Sequence, residues 1–212
     1  VRPLKCCVTP PLQLIHLNQT ELTMPRPAHP LLAITLGDPS GIGPDVVARA
    51  LAERATYEMA RPVVIGALGP MQRGIKDTGV GLVARAASSI EGAGEDPGVV
   101  DVLNVDGFED ADFPLGELSA VSGKAAHAWI ERAVRLCQNG GADAMVTAPV
   151  NKEALNMAGS TDMGHQEVFK RMSGSDYVAT MLVSGVLRCM HLSTHRSLIR
   201  AAEYATRENI LM

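Results

Sequence analysis

The stretch that decides the fold is "LLAITLGDPSGIGPD", Leu31 to Asp45. Its first half is a short apolar run closed by Gly37, the pattern of a buried strand. Its second half places Gly37, Gly41 and Gly43 around Pro39, and then "VVARALAERA" begins with helical character. Pro44 suits a helix start, and Asp45 suits the positive N-terminal end of a helix. A strand that turns tightly into a helix is the repeating unit of an α/β protein. Backbone amides at such a junction can also approach an anion. The glycine spacing is G-x3-G-x-G, which is neither the dinucleotide fingerprint nor a phosphate-binding P-loop. Two readings therefore stay open: a tight turn with a helix start, or an anion-facing backbone.

Downstream, strand and helix patterns alternate. "RPVVIGA", "VGLVARA", "VVDVLNV" and "ADAMVTAPV" read as strands, with "MQRGIKDTG" a short helix between the first two. Ser119 to Cys137 reads as the longest helix, with Ala126, Ile130, Ala133, Val134 and Cys137 on one face. "NKEALNMAG" reads as a helix with Asn151 as N-cap and Gly159 at its end. "GHQEVFKRMSG" is another short helix closed by glycine. "YVATMLVSG" and "LRCMHLST" are adjoining strands about Gly185, and a helix starts at Ser197. This β-α alternation predicts a mostly parallel sheet flanked by helices.

Composition narrows the function classes. The chain has 212 residues, 46% hydrophobic but only 3% aromatic, so its core must be built from Ala, Val, Leu, Ile and Met. A net charge of −4 with no basic run argues against nucleic-acid binding. No apolar run approaches the ~20 residues that cross a membrane. Cys6, Cys7, Cys137 and Cys189 show no C-x-x-C spacing. Reduced thiols in a cytoplasmic protein are the expectation for the latter two. Residues 1–30 hold six prolines without a period and read as a disordered leader or an over-extended start, with Met24 a candidate first residue. Residues 31–212 form the ordered part.

Besides the glycine-rich turn, three places carry candidate chemistry. Lys152, in "TAPVNKEAL", sits where a strand ends and a helix begins, a position at which α/β sheets gather ligands. A lysine at a helix N-terminus is unfavourable to the dipole unless an anion is near. Lys152 is therefore a candidate catalytic or anion-holding residue, with a solvated surface lysine the competing reading. His165 and Gln166, in "GHQEVF", open a helix and suit phosphate or carboxylate oxygens. "LRCMHLSTHRSL" holds His191 and His195. In one strand they would lie roughly 13 Å apart, too far to share a metal. His195, at a strand end, is the better ligand and His191 the better core histidine.

Taken together, "ITLGDPSGIGPD", "VTAPVNKEAL", "GHQEVF" and "LRCMHLSTHRSL", in this order and spacing, resemble the 4-hydroxythreonine-4-phosphate dehydrogenase family of vitamin B6 biosynthesis. The resemblance runs from about Leu31 to Met212. It implies an isocitrate/isopropylmalate dehydrogenase-like fold, two α/β lobes around a cleft. It also implies oxidation of a phosphorylated hydroxy-amino acid, 4-phosphooxy-L-threonine, by NAD or NADP, with loss of carbon dioxide. A divalent metal (Zn, Mg or Co) would be bound by three histidines at the interface of a cytoplasmic homodimer. Carried over by motif, His195 is a metal ligand, and His165 and Gln166 hold the substrate. Many members of the main branch have Thr at the position of Gln166. This variant looks more like a sister branch acting on 4-phospho-threonate or 4-phospho-erythronate. Family members run well beyond this length, and two metal histidines belong to that further part. The chain is therefore expected to be a shortened form with little or no turnover, or a phosphate-binding remnant.

Overall fold

The computed structural model describes residues 29–109, 111–162, 164–194 and 196–211. Residues 1–28, with the expected leader, lie outside the described residues, as does His195. The elements follow one another as β1 (Leu31–Thr35), α1 (Gly43–Ala52), α2 (Arg54–Met59), β2 (Arg61–Gly66), α3 (Leu68–Thr78), β3 (Val83–Ala87) and β4 (Val99–Asn104). Then come α4 (Ala120–Gln138), β5 (Ala144–Thr147), α5 (Lys152–Met157), α6 (His165–Ser173), β6 (Met181–Ser184), β7 (Leu187–Met190), α7 (Leu198–Tyr204) and α8 (Arg207–Leu211).

Strands β1 to β5 form one all-parallel sheet in the order β3-β4-β2-β1-β5. The inner strands are buried on both faces, so they read as continuous apolar runs such as "VVI" rather than alternating ones. From β1 the chain builds the sheet one way through β2. After β4 it returns across β2 and β1 to lay down β5 on the far side. Right-handed crossovers in opposite directions put α1 and α3 on one face and α4 on the other. The reversal makes the carboxyl ends of β1 and β5 the switch point, where such sheets offer a crevice.

Helix α4 spans that return. Ser119 caps it by accepting from the Ser122 amide, and Trp129, fully buried, meets Phe108 and Phe113 edge-on. A second, smaller core of Ile130, Val134 and Val168 joins α4 to α6. Gly123 lets α4 meet α5 closely, because a Cβ there would lie 2.0 Å from the Ala154 carbonyl oxygen.

The helix expected to run through "VVARALAERA" breaks at Glu53, whose extended backbone ends α1 and starts α2. Helix α3 starts at Leu68, earlier than the "MQRGIKDTG" reading. Strands β6 and β7 do pair, antiparallel about Gly185, but as a separate two-stranded ribbon with every residue exposed.

Candidate functional site

The glycine-rich turn after β1 proves to be filled rather than open. The Asp38 amide donates to the Pro149 carbonyl at 2.9 Å, and the Asp38 carboxylate accepts from the Ser40 amide at 2.9 Å. Ser40 and Ser122 hydroxyls meet at 2.6 Å, and Arg73 donates to the Pro39 carbonyl. Gly37 has φ 74° and leaves no room for a side chain, since a Cβ would sit 2.4 Å from the Pro149 oxygen. The tight-turn reading is the one the geometry supports. The turn's work is to press on the loop after β5 and so fix the wall of the crevice.

That wall carries Lys152. Asn151 caps α5 by accepting from the Glu153 and Ala154 amides, which sets Lys152 as the first helical residue. Lys152 and the start of α6 are neighbours: a Cβ on Gly164 would lie 4.0 Å from Lys152 Cε. A cation beside two positive helix ends favours a negative guest. No ion pair among the described residues includes Lys152.

Lys152, His165 and Gln166 line one cavity of about 750 Å³, together with Pro149, Val150, Glu167, Thr180 and His191. Three of the four residues singled out in the sequence thus share a site. The fourth, His195, lies outside the described residues, while its neighbours Ser193 and Thr194 reach the cavity. The Nε2 atom of His165 is buried and has no hydrogen-bond partner among the described residues. Burial pushes the His165 imidazole below its ordinary pKa, partly offset by Glu167. At neutral pH the ring is therefore neutral, able to donate or to accept one hydrogen bond to a guest. Gln166 donates to the Thr180 hydroxyl, which ties α6 to the segment entering β6.

His191 departs from the core role expected of it. Strand β7 ends at Met190, and the His191 amide makes the last hairpin bond, 2.9 Å to the Thr180 carbonyl. Its partly exposed side chain then faces the cavity. A smaller neighbouring cavity of about 160 Å³ shares Gln166, Thr180 and His191 and adds Arg196, whose guanidinium stacks 4.1 Å from the Tyr204 ring centroid. Thr180 and Arg196 had no local signature. The clustering of Ser193 and Thr194 beside a histidine was the one signal available.

Residues 58–212 match the model of the pyridoxal phosphate biosynthetic protein PdxA. The chain belongs to the PdxA family. It is 39% identical over 172 residues to a D-threonate 4-phosphate dehydrogenase of Cupriavidus necator, covering 81% of this chain and 51% of that one. It is 35% identical over 182 residues to a 4-hydroxythreonine-4-phosphate dehydrogenase of Geobacter metallireducens, covering 86% and 54%. Among solved structures, a 4-hydroxythreonine-4-phosphate dehydrogenase from Burkholderia phymatum superposes with TM-score 0.77 at 38% identity, over 82% of this chain and 53% of that one. The chain spans about half the length of the curated relatives it matches. The PdxA relatives bear out the α/β dehydrogenase fold read from the motifs.

The family resemblance implies a divalent metal. Among the described residues no group of three or more His, Cys, Asp or Glu could hold one. These residues do not by themselves make a metal centre. No helix among the described residues is long and apolar enough to cross a membrane.

Proposed function

We propose that this chain carries the phosphate-holding part of a dehydrogenase that oxidises the secondary hydroxyl of a 4-phosphorylated hydroxy acid. The observation that carries the proposal is the cavity lined by Lys152, Gln166 and His165, whose buried Nε2 has no partner among the described residues. In this reading His165 and Gln166 hold phosphate or carboxylate oxygens, and Lys152 supplies the positive charge that the two helix starts reinforce. Holding the remote phosphate fixes the position of the reacting carbon, so binding energy is used to orient it. NAD or NADP, when bound, is the hydride acceptor. His195 is assigned as this chain's single metal ligand on its motif alone, and no step is derived through the metal. A cytoplasmic homodimer belongs to the same reading.

The substrate in this reading is 4-phosphooxy-L-threonine, on the route to pyridoxal phosphate, whose keto acid then loses carbon dioxide. A second reading, 4-phospho-D-threonate, is favoured by the relatives named D-threonate 4-phosphate dehydrogenase at 36% and 39% identity and by Gln166. Calorimetric titration of both phosphorylated acids and their unphosphorylated parents, with nicotinamide reduction followed alongside, separates these readings. A phosphorylated acid is expected to bind at least about tenfold more tightly than its parent, with the gain lost in His165→Ala. Equal binding of parent and phosphorylated acid would reject the proposal.

A further inference from the structure

Helix α6 carries His165 and Gln166 on its first turn, yet it has little to hold it. It is nine residues long, and Val168 is its one buried residue. Phe169 and Met172 pack beside Val168 only partly buried, and Gln138 donates to the Met172 carbonyl at 2.8 Å. With so small a buried face, any tilt or roll of the helix would move its first turn. Its last turn, however, is bolted down. Arg171 Nη2 donates to Asp162 Oδ2 at 2.7 Å and to Glu131 Oε1 at 2.7 Å, and Arg171 Nε donates to Asp162 Oδ2 at 3.0 Å. Asp162 is 6% exposed and also meets His127 Nε2 at 2.9 Å. Glu131 is held in turn by Arg135 Nη2 at 3.0 Å. His127, Glu131 and Arg135 all stand on α4, whose opposite side is embedded in the main core.

The arrangement brackets the site. Asp162 precedes the start of α6, Arg171 lies near its end, and the two grip each other as well as α4. The Asp162 backbone is also pinned in a local turn, its amide donating to the Ser160 hydroxyl at 3.1 Å. The segment from Asp162 to Arg171 is thus closed by side chains into a loop with His165 and Gln166 inside it. An exposed single ion pair would hold nothing in place. A buried carboxylate with three donors in fixed directions does.

We propose that Asp162, Arg171 and Glu131 are positioning residues that set the direction of the His165 ring and the Gln166 amide in the cavity. The inference rests on the proposed phosphate-holding role of those two side chains. None of the three touches the cavity, so each acts through α6.

The test uses the whole 212-residue chain with ring-labelled histidine, its His165 resonances assigned from His165→Ala. Inorganic phosphate is titrated into wild type, Arg171→Met, Asp162→Asn and Glu131→Gln. Arg171→Met is expected to shift and broaden the His165 ring signals and to weaken phosphate binding about tenfold, the lower end of what losing a group that orients a metal-holding histidine costs. Glu131→Gln removes the charge that accepts from both Arg171 and Arg135 and is expected to move the His165 signals and phosphate affinity in the same direction, by less than Arg171→Met. If Arg171→Met does not fold, Asp162→Asn carries the same readout. A lowered Tm with unchanged His165 signals and unchanged phosphate affinity would reduce the network to a staple and overturn the proposal. Absence of phosphate binding in the wild type would instead sink the functional reading, while the ring signals would still decide the positioning claim.

Discussion

The inner strands β1, β2 and β4 are buried on both faces, whereas every residue of β6 and β7 is exposed. The two regions supply opposite walls of one cavity. The β5–α5 loop and α6 rest, through α4, on Trp129 and the main core. Thr180, His191, Ser193 and Thr194 rest on a ribbon with no core beneath it. Val186 is 97% exposed and Leu198 86%. An isolated two-stranded hairpin is marginal in water. The difference teaches that the site joins a wall packed on the core, which sets position, to a wall carried by an exposed ribbon.

The largest effect should come from breaking the core-packed side. Trp129→Ala removes the largest buried side chain and its edge contacts with Phe108 and Phe113. It is expected to cost about 3–5 kcal/mol, read from urea unfolding. Gly123→Ala drives a methyl into the Ala154 carbonyl and is expected to cost about 1–3 kcal/mol in the same measurement.

A smaller effect is pH-dependent. Hydrogen bonds from Arg171 hold the Asp162 carboxyl below the usual carboxylate range; burial opposes them, and His127 adds to the lowering. A carboxylate depressed in the folded state contributes stability above its unfolded pKa of about 3.9, and loses it as pH falls through the folded value. Unfolding measured at about pH 7 and about pH 3 should therefore show a steeper acid loss in wild type than in Asp162→Asn. Parallel acid limbs would remove Asp162 from the account. The smallest effect is expected on the ribbon side: Leu182→Thr should change stability by less than about 0.5 kcal/mol. A loss comparable to Gly123→Ala would show that the ribbon is held after all.

Much of the core-packed side was legible in the sequence because its signals are local. Apolar runs ending in glycine mark β1 and β2, Asn151 caps α5, Gly174 closes α6, and α4 was read within one residue of its bounds, with Ser119 proving to be its cap. The break at Glu53 was not legible, because "VVARALAERA" keeps a helical composition through it. His191 was misplaced because nothing in "LRCMHLST" marks where the strand stops. Of the site, Lys152, His165 and Gln166 could be named from strand ends and helix starts. The Asp162–Arg171–Glu131 network could not, since it joins a loop and two helices through partners up to 40 residues apart.

The most direct test of the account is hydrogen exchange on the 212-residue chain with and without 4-phospho-D-threonate or 4-phosphooxy-L-threonine. Amides of the α6 first turn and of residues 191–194 should gain protection with at least one ligand, while those of β1 and β2, already protected, should not change. Ligand protection confined to the glycine-rich turn at residues 37–43, with none at His165 or Gln166, would contradict it.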